Sequence, residues 1–159
     1  MTVVDELRVR AMLDRLEVEI DALRRLARRS RHELLRDDDL LAAVKYRFIV
    51  AIEVCIDVGR HVVASEGLRA PLDYADVFAV LADSGLLDPA IAADLRDTAR
   101  FRNLLVHGYA GCVTEEPPPA GVGSSDMRGV DDTRVVEILR ERVDDLAAFR
   151  TALARAAGG

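Results

Sequence analysis

Between about Asp39 and about Ser65, Leu41, Val44, Phe48, Ile52, Cys55, Gly59 and Val62 return every three or four positions. That interval is the pitch of an α-helix, not the two-residue alternation of a strand. Ile49, Ile56 and Val63 widen the stripe, so this helix has to bury most of its circumference. A chain that contains such a helix must supply others to surround it. Leu13, Leu16, Ile20, Leu23 and Ala27 make an earlier stripe, and Val136, Leu139, Val143, Leu146, Phe149 and Leu153 make a last one. "YADVFAVLADSG" predicts a short helix stopped at Gly85, with Asp73 as a candidate cap. Asp88 and Pro89 then start a helix that runs to about His107 or Gly108. No stretch alternates as a strand does. The expectation is an all-α antiparallel bundle of about five helices in one domain spanning 1–159. A Pro-, Gly- and Ser-rich loop at about 111–131 should precede the last helix.

Composition narrows the function. A net charge of −6 argues against non-specific coating of nucleic acid, so any such contact needs a local basic patch. The densest run, "LRRLARRSRHELLR", reads first as a solvated helix face. Cys55 and Cys112 form neither a disulfide framework nor a zinc pattern, and Cys55 lies in an apolar stripe. No cofactor or metal motif stands out. The N-terminus mixes charged and apolar residues from the start, and no apolar run is long enough to span a membrane. The cytoplasm is the expected compartment, with no membrane partner.

Chemistry concentrates in "FRNLLVHGY", residues 101–109. On a helical wheel, Ile91, Leu95, Thr98, Leu105 and Val106 share one side, and Arg102 falls in their midst. A guanidinium there needs a partner, an interface or a cleft. Arg96, Arg100, Asn103 and His107 lie on another line, able to hold a phosphodiester and move a proton, or to serve as a solvent-facing polar stripe. Arg102 and His107 are five apart, so they point about 140° from each other. A two-fold dimer would bring a second copy of the stretch alongside. On the preceding long helix Glu53, Asp57 and His61 step by four. Asp57 can pair with His61 at the surface or with Arg102, and the three together are a weak metal set. "GVGSSDMRG" follows no strand and opens no helix, so it is no phosphate loop, and Ser124 and Ser125 lack a nucleophile elbow.

"RNLLVHGY" matches the R-x4-H-x-Y form of the HEPN nuclease motif, and the region from about Val44 to Tyr109 resembles the HepT branch, the toxin half of HepT/MntA toxin–antitoxin pairs. The resemblance implies a dimeric HEPN-like bundle whose two motifs meet in a shared cleft and cut RNA without a metal. Carried over, Arg102 and His107 are catalytic, Asn103 is the polar neighbour, and Tyr109 is the tyrosine to which an MntA-like minimal nucleotidyltransferase antitoxin attaches AMP. Asp57 and His61 fall where the branch has Asp and His. Arg96, Arg100 and Asp57 would support the site or bind RNA. The loop after Tyr109 is longer than the resemblance leads one to expect. Two other readings stay open: a non-catalytic HEPN module that binds nucleotide or RNA beside the transferase, and a plain structural bundle.

Overall fold

The computed structural model describes residues 2–107 and 131–158, which form six helices. They are α1 (Val3–Ala27), α2 (Arg31–Arg36), α3 (Asp38–Ser65), α4 (Asp76–Asp83), α5 (Pro89–His107) and α6 (Asp132–Ala156). Five of these are the expected helices. The additional one, α2, divides the arginine-rich run. Ser30 accepts a hydrogen bond from the Glu33 amide, and the Glu33 carboxylate accepts one from the Ser30 amide. This capping box restarts the chain right after α1 ends. Leu34 is fully buried and anchors the short helix. Asp37 then caps α3 by accepting from the amides of Asp39 and Leu40. Asp88 and Asp131 cap α5 and α6 in the same way.

α3 packs against every other described helix. Its whole expected stripe is buried, and so are Ile56 and Val63. The stripes of α1 and α6 are buried with it, except that Ala27 is only half-buried. Ion pairs show the directions. Asp5 meets His61 and Glu19 meets Arg47, so α1 runs antiparallel to α3. Arg24 pairs with Asp144 and Arg150 with Glu17, so α1 is antiparallel to α6 as well. Glu19 is fully buried, which would be costly for a lone carboxylate. Arg47 reaches both its oxygens at 3.2 and 3.1 Å, and Arg15 adds a contact at 2.8 Å. Those contacts set the register of α1 on the central helix.

Gly59 lets α4 come close to α3, because a β-carbon there would collide with Val77. Phe78 of α4 meets Phe149 of α6 edge-on at 5.8 Å, closing the core beyond that crossing. Gly59→Ala should therefore overpack the crossing and cost about 1–3 kcal/mol. Chemical denaturation of the two proteins would read this as a lower midpoint with an unchanged slope.

The connection from α3 to α4 is pinned by one carboxylate. Gly67, at a φ of 63°, turns the chain out of α3. Asp76 then accepts from Arg69 Nη1 at 2.6 Å, from Arg69 Nη2 at 3.2 Å and from the Leu72 amide at 2.9 Å. Its own amide donates to Asp73 at 2.7 Å; the N-cap of α4 is Ala75 rather than the expected Asp73, which binds the first helical amide from outside the helix end. The Arg69 hydrogen bonds, followed by the Leu72 amide, hold the Asp76 carboxyl down at about 2. Arg69 is nearly half exposed, so solvent screening keeps the contribution to stability at or below ~1 kcal/mol. A depressed carboxyl stabilises the fold above its unfolded-state value and loses that effect as pH falls through the folded one. Asp76→Asn should thus be less stable than the parent at neutral pH. In urea titrations the gap should close as pH drops from the ordinary carboxylate value of 3.8 towards about 2.

Candidate functional site

α5 is helical through His107, so positions 102 and 107 stay about 140° apart around its axis. The core face of α5 is Leu95, Thr98, Ala99 and Leu105, all buried. Thr98 satisfies its hydroxyl on the Asp94 carbonyl at 2.8 Å. Ile91 is half-buried. Val106, expected on the core side, is exposed, as is Leu104, while Leu105 between them is buried.

Arg102 lies at the edge of this face with about a quarter of its side chain exposed. It meets three partners from three parts of the chain. Its Nη2 pairs with Glu53 Oε1 of α3. Its Nη1 donates to Asn103 Oδ1 at 2.8 Å. Its guanidinium carbon stands 5.9 Å from the centre of the Tyr74 ring, in cation–π range. Asn103 Nδ2 donates in turn to the Tyr74 hydroxyl. The group is closed: Glu53 balances the charge, Tyr74 covers one face, and Asn103 links arginine to tyrosine. The expectation that an arginine in an apolar line needs a partner is met. The partner, however, is not Asp57. Asp57 is exposed one turn further along α3, and Glu53 faces α5.

The other expected residues are placed differently. His61 Nε2 meets Asp5 Oδ1 at 3.1 Å, so it pairs with the first turn of α1 rather than with Asp57. Glu53 and His61 thus have separate partners, and among the described residues no three His, Cys, Asp or Glu side chains group as a metal site. Arg100 is exposed and pairs with Asp97 at 3.3 Å. Arg96 is half-buried and acts electrostatically on Asp76. Of the line Arg96, Arg100, Asn103 and His107, only Asn103 is seen to join Arg102. The backbone of His107 closes α5, whereas its side chain, Tyr109 and the loop at about 111–130 lie outside the described residues. Cys55 is buried, and burial pushes its thiol far above the usual range, which leaves it a packing residue.

Two members of the cluster were not assigned this role by the sequence. Glu53 was visible as a carboxylate on an apolar helix, but its spacing to Asp57 and His61 pointed along α3 rather than across to α5. Tyr74 carried no signal, since it sits in a connection whose path depends on Asp76 and Arg69.

What the arrangement can do is bind an anion. Arg102 is oriented but not enclosed, and its Nε–H is buried with no hydrogen-bond partner among the described residues. No helix among the described residues is long and apolar enough to cross a membrane.

Similarity to known proteins agrees with this fold. A curated mRNA nuclease HepT of Shewanella oneidensis is 32% identical over 57 residues, a match covering 36% of this chain and 43% of that protein. The chain therefore spans less than half the length of that relative. The bundle superposes on the tri-AMPylated S. oneidensis HEPN toxin solved in complex with its MNT antitoxin, at a TM-score of 0.68 and 17% identity, covering 98% of this chain and 99% of that one. It also superposes on YutE of Bacillus subtilis, a cytosolic protein of unknown function, at a TM-score of 0.74 and 16% identity, covering 98% and 92%. These two likenesses establish the fold. The model of the "Ribonuclease HepT-like" family matches residues 5–115, most of the chain, from the first turn of α1 through the end of α5, and the chain belongs to that family.

Proposed function

We propose that this protein is a ribonuclease toxin of a toxin–antitoxin pair, cutting RNA with Arg102 and His107. The observation that carries the reading is the R-x4-H-x-Y spacing at the end of α5, with its arginine held by Glu53, Asn103 and Tyr74, in a chain of this family. In metal-independent cleavage the ribose 2′-oxygen attacks the adjacent phosphorus. The O2′–P bond forms, the P–O5′ bond breaks, and a 2′,3′-cyclic phosphate and a 5′-hydroxyl result. One proton leaves the 2′-hydroxyl and one reaches the 5′-oxygen, which is work suited to an imidazole. Charge gathers on the non-bridging oxygens, which suits a fixed guanidinium. Asn103 supports Arg102, and Arg96, Arg100 and Asp57 are left as flanking groups of the RNA path.

The angle between positions 102 and 107 favours a homodimer in which the motifs of two copies face one cleft. Exposed Val106, one turn on from Arg102 along α5, supplies apolar surface next to it. Exposed Tyr46 stands two turns before Glu53 on the same side of α3. Tyr109 is the proposed switch: a nucleotidyltransferase antitoxin would attach AMP there, adding bulk and negative charge where RNA must enter. That the similar S. oneidensis toxin is AMPylated and bound to an MNT antitoxin supports this.

His107→Ala should lower RNA cleavage about 10²–10⁴-fold, and Arg102→Ala about 10²–10³-fold. Wild-type rates in either variant would remove that residue from the mechanism. Intact mass spectrometry of protein made with its cognate nucleotidyltransferase should find added AMP that Tyr109→Phe abolishes. The net charge of −6 favours one rival, a module that binds nucleotide or RNA without cutting it. Growth arrest on induction, relieved by His107→Ala, would exclude that rival.

A further inference from the structure

The nuclease reading needs Arg102 to hold one orientation, yet arginine is among the most flexible of side chains. Three observations bear on how that is met. Glu53 occupies Nη2 from α3. Asn103 occupies Nη1 from the next position on α5, and its amide is itself oriented because Nδ2 donates to the Tyr74 hydroxyl. The Tyr74 ring lies against the guanidinium from the α3–α4 connection. That connection is in turn held by Asp76, which binds Arg69 and the Leu72 amide. The guanidinium is therefore hydrogen-bonded at Nη1, charge-paired at Nη2 and faced by a ring before any RNA arrives.

Resting on the proposed nuclease reading, we infer that Glu53 and Tyr74 are positioning residues for Arg102. They orient its guanidinium for the scissile phosphate and keep a partly buried cation neutralised until the phosphate joins it. This has a specific kinetic consequence. Glu53 opposes anion binding electrostatically, because it already satisfies the arginine. It aids the chemical step, because it fixes geometry. Removing it should lower kcat without weakening RNA binding, and KM should stay level or fall. A purely structural residue would lower the folded fraction and leave the kcat of the remaining folded enzyme intact.

The test compares the full-length protein with Glu53→Gln, Glu53→Asp and Tyr74→Phe, on a short RNA under steady-state conditions, with thermal midpoints measured alongside. Glu53→Gln should reduce kcat about 10–100-fold, the scale of a small misplacement of a reacting group, with KM unchanged or reduced. Glu53→Asp should recover part of the loss, and Tyr74→Phe should show a smaller loss of the same kind. A kcat for Glu53→Gln equal to that of the parent, or a rise in KM that accounts for the whole effect, overturns the inference.

A second measurement does not depend on cleavage. The side-chain Nε–Hε signal of Arg102, assigned by its loss in Arg102→Lys, should be sharp in the parent. It should shift or broaden in Glu53→Gln while the backbone spectrum is kept. An Arg102 signal indifferent to Glu53 overturns the inference whatever the kinetics. If the parent cleaves no RNA, the nuclease reading fails, and a signal that responds to Glu53 still upholds the positioning of Arg102.

Discussion

Everything in this bundle is arranged around one central helix. α3 contacts each of the other described helices, and its apolar stripe from Leu41 to Val63 is buried. Fully burying a large aliphatic or aromatic side chain is worth about 1.5–3 kcal/mol, so the surrounding helices have little freedom in where they lie. A polar group on such a helix has to meet a partner on a neighbour or emerge at a seam. Glu53 does both. It appears where α3 and α5 meet, and its carboxylate is the anchor for Arg102. The site thus depends on the core not by proximity alone but through one ion pair that crosses between the two helices.

The distribution of charge follows the same logic. An acidic protein that is to bind a phosphodiester cannot rely on its overall field. It needs a cation whose position is set locally. Several arginines are committed elsewhere: Arg47 and Arg15 to buried Glu19, Arg24 to Asp144, Arg69 to Asp76, Arg142 to Asp94, and Arg150 to Glu17. Arg102 differs in kind, since a charged, a polar and an aromatic group all converge on it. Convergence of that sort gives direction to a side chain, whereas a single surface ion pair rarely does.

Much of the fold was legible in the sequence, because burial repeats with the helical period. The stripes of α1, α3 and α6 could be read position by position, and the cap Asp88 fell at the start of α5. The miss was α2, although Ser30 and Glu33 spelled a capping box; a six-residue helix is too short to show a period. The apolar end of α5 was also misjudged. Leu104, Leu105 and Val106 look alike in sequence, yet only Leu105 is buried.

The site divides along the same line. The sequence by itself holds the spacing, an arginine and a histidine five apart and a tyrosine two further on, and the need of Arg102 for a partner. These are matters of residue type and of the rotation per residue along one helix, which are local; the roles proposed for His107 and Tyr109 rest on the resemblance to the family. Which partner Arg102 takes was decided only by the tertiary structure. Glu53 and Asp57 are both carboxylates, one turn apart, and nothing local separates them. The crossing of α5 over α3 selects Glu53, and the Asp76-pinned connection brings Tyr74 to the same guanidinium. Contacts between distant segments depend on how helices pack, and that is settled by the shape of the whole core.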